Sequence, residues 1–304
     1  MAAIHGTASA SLRRAAAPRV LLEAEVFAHG STRLSRDEIA AERRRREPLA
    51  EGWNPIGHGT LRNSDEQTVA AVASLRGAIA RAGRPAADFD GWGVLAAPRF
   101  LGRSKLTVAF DQFKAEGVWG VTPHLIPHFA LHAQAGTLSL ILGGHGPNLG
   151  IGGGRFAASE GVLSALTWLE SGVAPGVWLV LTGWSPEYRP DRQGDPLAET
   201  HCESVALALI PASSDQEGRI KLQINELETP GPPSPTTPET LAARLDGLLA
   251  SPMTGPREIA HRSHAARRFG LDGRPGKADR RIALGTDDEG RLLIDLKAPG
   301  GASA

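Results

Sequence analysis

The sequence predicts an α/β sandwich on a largely parallel sheet, and three observations carry that expectation. Short apolar runs such as "DGWGVLAAP" (90–98) and "VWLVLTG" (177–183) read as strands buried on both faces. Segments with helical period stand between them, and glycine or proline clusters punctuate the joins. Strands alternating with helices in this way pack as helices against a sheet.

The bulk numbers bound the rest. A chain of 304 residues can bury a large core. Lysine plus arginine equals aspartate plus glutamate at 33 each, so no global field favours nucleic acid or an anionic membrane. A single cysteine, Cys202, excludes an internal disulfide framework and a multi-cysteine metal cluster, and fits a reducing, cytoplasmic setting. No apolar run approaches the ~20 residues of a membrane span. The N-terminal "MAAIHGTASASLRRAAAPRV" lacks the apolar core of a signal peptide.

In chain order, residues 1–17 read as a flexible leader and "VLLEAEVFA" (20–28) as a first strand, by its alternation. "SRDEIAAERRRREPLAEG" (35–52) is a charged helical segment that reads as a solvated face. "SDEQTVAAVASLRGAIARAG" (64–83) has Ser64 at the N-cap, Gln67 three residues on and Gly83 at its close, with Val69, Val72, Leu75 and Ile79 on one face. "DGWGVLAAP" gives the second strand and "KLTVAFDQFKAEG" (105–117) another helix. "TLSLILGG" (137–144) reads as a third strand, "RFAASEGVLSALTWLESG" (155–172) as a helix and "VWLVLTG" as a fourth strand. "CESVALALIPA" (202–212) and "GRIKLQINEL" (218–227) complete the series. The proline-rich "ETPGPPSPTTPET" (228–240) breaks it. A helix at about 239–250, a basic stretch at 257–270 and a hairpin in "RRIALGTDDEGRLLIDLKAP" follow. The expected division is a leader (1–17), a main domain (18–228) and an extension (229–304). There is no internal repeat.

The chemistry gathers at "GPNLGIGGGRFAASEG", where a glycine-rich turn enters a helix. Such turns present a phosphate or a nucleophile. The spacing has no glycine-lysine-serine ending and fits no dinucleotide fingerprint. As a nucleophile turn, it resembles the active-site region of β-ketoacyl synthases. In that family the nucleophilic cysteine follows a Gly-Pro pair by eight residues, and a small-residue pair closes the helix seventeen beyond the cysteine. Here eight from Pro147 is Arg155, and seventeen from Arg155 is Gly172. "VTPHLIPHFALHAQAG" (121–136) and "ESVALALIPA" (203–212) resemble further family segments in the same order.

The resemblance implies a thiolase-like half-domain, a three-layer sandwich with a mixed, largely parallel, five-stranded sheet. It also implies a chain-length-factor type of subunit, because arginine replaces cysteine and cannot form a thioester. The family's second half, with its catalytic histidines and lysine, has no counterpart after residue 228; His261 and His264 match neither histidine motif. The expected partners are a cysteine-bearing ketosynthase or a second copy, and an acyl carrier protein. No cofactor is expected.

The helix after the turn places Ala157, Ala158, Val162, Ala165, Leu166, Trp168 and Leu169 on an apolar face, with Ser159, Glu160, Ser164, Thr167, Glu170 and Ser171 opposite. Gly152, Gly153, Gly154 and Arg155 are the candidate ligand-binding residues. Arg155 stands at the positive end of a helix and needs an anion, from Glu160, Glu203 or a ligand. An internal salt bridge is the leading expectation. The alternative is an acyl hydrolase or acyltransferase that uses Ser159 or Cys202, and a weaker one is an anion- or phosphate-binding module. Cys202 reads as a small strand-edge residue, and His201 beside it points to the opposite face. His124, His128 and His132 recur every four residues, and Pro127 at a first helical position would align His128 with His132. They read as an interface helix rather than a metal site.

Overall fold

The computed structural model describes residues 19–123, 125–189, 191, 193, 199–213, 220–227, 230–250, 281–287 and 289–298. Its strands are β1 (Arg19–Leu34), β2 (Gly93–Pro98), β3 (Asn148–Gly150), β4 (Val177–Ser185), β5 (His201–Pro211), β6 (Lys221–Glu226), β7 (Arg281–Thr286) and β8 (Leu292–Lys297). Its helices are α1 (Arg36–Glu42), α2 (Glu66–Ala82), α3 (Arg103–Glu116), α4 (Leu125–Phe129), α5 (Leu131–Leu142), α6 (Ala157–Glu170) and α7 (Pro238–Ala250).

The strands form one sheet in the order β3-β2-β4-β5-β1-β6-β8-β7. Side-chain alternation along each strand supplies both layers of core. Leu95, Ala97, Leu179, Leu181, Val205 and Leu207 face α6 and α7, where Val162, Leu166, Leu241 and Leu245 meet them. Val94, Ala96, Trp178, Val180, Ala206 and Ala208 face the opposite way, toward Leu75 and Ile79 of α2 and Ala135 and Leu138 of α5. The three-layer sandwich is therefore present.

The sheet differs from the expectation in number and direction. It has eight strands, and five of its seven neighbouring pairs are antiparallel; only β2 with β3 and β2 with β4 run parallel. Two of the antiparallel pairs are made by β1, which is sixteen residues long and shifts register between Val26 and Ala28. It can thus pair with β5 along one part and β6 along another, antiparallel to both. The expected hairpin at the C-terminal end forms, and β8 joins β6. Its Leu284, Ile294 and Leu296 share a core with Leu241 and Leu245 of α7 and with β4 and β5.

Four local expectations are corrected. "TLSLILGG" is the C-terminal part of α5, not a strand, and Gly143 caps it in the left-handed region (φ 63°). Its apolar–polar alternation mimics a strand, but Leu138 is buried while Leu140 is 80% exposed, as turns of a helix require. The strand that takes its place, β3, is three residues inside the glycine turn. Second, α2 is capped by Asp65, whose Oδ1 accepts from the Gln67 N–H at 2.8 Å, while Ser64 turns back to donate to the Thr60 carbonyl. Third, the segment at 35–52 is not merely solvated. Only 36–42 is helical, held by a Ser35–Glu38 capping box, and Ile39 and Leu49 are buried. Fourth, the backbone at Ala130 is extended and separates α4 from α5 (φ −70°, ψ 152°), so His128 and His132 do not share one helix; His124 lies outside the described residues.

No described helix is long and apolar enough to cross a membrane. The basic stretch at 257–270 lies outside the described residues.

Candidate functional site

Parallel strands β2 and β4 end on the same edge of the sheet as β3, and the chain segments that follow them meet there. After β3, Gly152 and Gly153 adopt φ of 79° and 93°, which L side chains rarely take. A side chain on Gly152 would also strike the Ala157 backbone, 2.7 Å from a Cβ at that position. The turn is fixed to β2 by a bridge between Arg99 and Gly153 and by the Phe100 N–H, which donates to the Gly153 carbonyl at 3.0 Å. The helix α6 then starts at Ala157, with Phe156 as an N-cap that supplies no side-chain hydrogen bond.

Arg155 is exposed on this turn, its guanidinium 5.3 Å from the Phe156 ring centroid. Among the described residues it makes no ion pair or hydrogen bond. The expected internal salt bridge is absent: Glu203 pairs with Arg33 instead, at 3.7 Å. The contact that the guanidinium keeps is with the aromatic face of its neighbour.

The two alternative nucleophiles are poorly placed for attack. Ser159 was expected on the polar side of α6, yet β7 covers it: the residue is 5% exposed and its hydroxyl donates to the Thr286 carbonyl at 3.4 Å. Of the other residues of that side, Glu160, Thr167, Glu170 and Ser171 are exposed and Ser164 is half-buried. Cys202 is not at a strand edge but on β5, between β4 and β1, and is fully buried. Burial pushes its thiol well above the ordinary range, and the Asp65, Glu66 and Glu203 carboxylates push in the same direction. A thiol so held is seldom a thiolate. His201 lies on the opposite face of β5, with Nδ1 3.5 Å from an Arg33 nitrogen.

Arg99, Arg103, Glu187 and Asp65 were not singled out from sequence, and they share this edge with Glu203. Arg99 and Arg103 flank Phe100 in the β2–α3 connection and both reach Glu187, which follows β4. Asp65 ties the start of α2 to the start of α3, since its Oδ2 accepts from the Gly102 N–H at 3.2 Å. Its carboxyl is pushed up to about 7, chiefly by burial and then by Glu66. Glu203 is likewise pushed up to about 7, by burial and then by Glu239. Beneath them Gln67, Gln134 and Thr182 form a buried network: Thr182 donates to Gln67 Oε1 at 2.8 Å, and the Gln67 amide donates to the Arg99 carbonyl at 3.0 Å. A strand followed by "RFLGR" was the available signal, but a pair of arginines beside one aromatic residue has no periodicity to set it apart. Among the described residues no three histidine, cysteine, aspartate or glutamate side chains gather as metal ligands.

A second feature adjoins this edge. β3 is the last strand of the sheet, paired on one side only, and Leu149 on it is 41% exposed. The outer half of α3 and the turn Gly117–Gly120 stand in solvent with Phe110, Phe113, Val118 and Trp119 exposed, Trp119 to 94%.

No family model matches the chain, and no curated protein matches its sequence. Among solved structures, the fold is similar to a chain of the ketosynthase ApeO in complex with its chain length factor ApeC from Xenorhabdus doucetiae, at 12% identity and a TM-score of 0.49, covering 91% of this chain and 100% of that one. It is also similar to the ishigamide ketosynthase/chain length factor, at 15% identity and a TM-score of 0.49, covering 92% of this chain and 100% of the other. A third likeness is to a chain of AntDE:AntF, a type II PKS acyl-carrier protein in complex with its ketosynthase bound to the hexaketide, at 15% identity and a TM-score of 0.42, covering 62% of this chain. The present chain spans 63% of that last one.

Proposed function

We propose that this protein is a non-condensing, ketosynthase-like subunit that binds or positions acyl chains, or an active synthase partner, in fatty-acid or polyketide-type synthesis. One observation carries the reading. The turn between β3 and α6 has the form and spacing of a nucleophile turn but presents Arg155, while Ser159 and Cys202 are buried. Arginine stays protonated and cannot carry an acyl group. What the turn retains is its architecture, which suits binding rather than group transfer.

The exposed arm and the open strand support a role exercised through a partner. Phe110, Phe113, Val118 and Trp119 lie on a segment with no core of its own, and contiguous exposed apolar surface of this kind marks an interaction site. A cysteine-bearing synthase or a second copy of this chain would cover them and extend the sheet at β3. An acyl carrier protein is the further expected partner.

Incubating the purified protein with acyl thioesters and measuring its intact mass tests the reading. No covalent adduct is expected. An adduct on Ser159 or Cys202, or condensation with a malonyl thioester that Arg155→Ala abolishes, would overturn it.

A further inference from the structure

The proposed role uses the glycine turn and the apolar arm, and leaves the cluster between β2 and β4 without a purpose. Arg99 Nη2 lies 3.2 Å from one oxygen of Glu187, and Arg103 Nη1 donates to the other, so one carboxylate spans two guanidinium groups. These three side chains together carry one more positive charge than negative. Arg99 Nε is buried and has no hydrogen-bond partner among the described residues.

Arg103 Nη1 also faces the Tyr188 carbonyl at 3.4 Å, and two local features set this place apart. Arg103 is the first residue of α3, whose N-cap Gly102 offers no side-chain bond and whose first turn carries no acidic residue. A cation there opposes the helix dipole. Phe100, between the two arginines, is the one non-glycine residue described with positive φ, at 55°. Strain of this kind persists where the surroundings enforce it, often at ligand sites. Its ring lies under Arg103, 3.7 Å from the guanidinium carbon, with Arg99 at 5.6 Å. The ring thus holds the fork flat and open on one side.

We propose that Arg99 and Arg103 form a binding site for a phosphate group, and that Glu187 fills it in the ligand-free protein. Planar guanidinium groups pair bidentately with phosphate oxygens, and a carboxylate is the nearest mimic that a protein can supply. Arg99, Phe100, Arg103, Trp184, Glu187 and Tyr188 line one narrow cleft, and the Glu187 carboxylate is the anionic part of its wall. Glu187 keeps 32% of its side chain exposed, so it can turn out to solvent when a dianion arrives. The glycine turn is anchored beside this cluster, through the bridge between Gly153 and Arg99. The inference is independent of the acyl-handling role: either can fail alone.

Inorganic phosphate is the probe, applied to the full chain against sodium chloride of equal ionic strength. Phosphate is expected to raise the melting temperature of the unaltered protein where chloride does not. Glu187→Gln should lower the phosphate Kd about tenfold by calorimetry, the equivalent of removing one competing charged hydrogen bond. Arg103→Gln should abolish the response. Circular dichroism establishes that each variant is folded; should Glu187→Gln not fold, the unaltered protein and Arg103→Gln decide. Equal shifts in phosphate and chloride would overturn the site, and phosphate binding no tighter in folded Glu187→Gln than in the unaltered protein would overturn the role of Glu187.

Discussion

Helices α2 and α3 are of similar length, seventeen and fourteen residues, and have opposite fates. Ten residues of α2 are buried, polar Gln67, Thr68 and Ser74 among them. Of α3, Ala109 alone is buried among the described side chains, although the helix carries two phenylalanines. α2 is rich in alanine and lies against β1 and β5, so close that a Cβ on Gly30 would come within 2.1 Å of the Ser74 carbonyl. α3 leaves the edge of the sheet and meets little beyond the turn that follows it. Aromatic content therefore does not decide which helix is core; position relative to the sheet does.

The contrast can be broken most severely at the centre of α2. Leu75→Ala, at a fully buried position, is expected to cost about 2–5 kcal/mol in denaturant unfolding, through lost transfer energy and the cavity left behind. A loss below the lower figure would mean that the layer beneath α2 collapses to fill the space. Gly30→Ala should cost about 1–3 kcal/mol, because the added methyl meets backbone that cannot turn aside.

Asp65 at the start of α2 gives a pH-dependent test. Its carboxyl titrates near 7 in the folded protein, against about 3.9 in an unfolded chain. The folded state therefore holds the proton more tightly, so the stabilisation is complete below about pH 4 and falls as pH rises toward 7. Asp65→Asn retains an N-cap acceptor and should flatten that decline, read from melting temperatures across the window. A decline as steep in the variant would assign it to Glu203, which titrates in the same range.

The smallest effect on folding is expected on α3 and its turn. Phe113→Ser and Trp119→Ser, at positions 49% and 94% exposed, should alter stability by no more than about 0.5 kcal/mol. Their consequence should appear in association instead. Sedimentation or size-exclusion measurements, alone and with a candidate synthase, should show a complex that these variants weaken; an unchanged complex would remove the arm from the interface.

Much of this architecture was legible residue by residue. Val69, Val72, Leu75 and Ile79 announced the buried face of α2, and the apolar runs at 90–98 and 177–183 announced the strands β2 and β4. Gly83 was readable as a C-cap, and it adopts the left-handed conformation that the position needs. The failures were local ambiguities. Leu138 and Leu140 alternate with polar neighbours as a strand would, and β3 is too short to carry a period. At the site, the glycine turn was legible by spacing, but not that Arg155 would meet no carboxylate among the described residues. Which carboxylate a guanidinium meets depends on residues distant in sequence, as Arg33 with Glu203 and Arg99 with Glu187 show.

The sequence by itself determined the α/β class, most elements and the glycine turn before α6. These follow from local period, turn chemistry and residue type, which act within a few positions along the chain. Only the tertiary structure decided that Ser159 lies under β7, that Cys202 is sealed between strands, that α3 is left bare, and that Arg99, Arg103 and Glu187 meet. Those outcomes depend on strand order and on which surfaces happen to cover one another. No local pattern encodes that information.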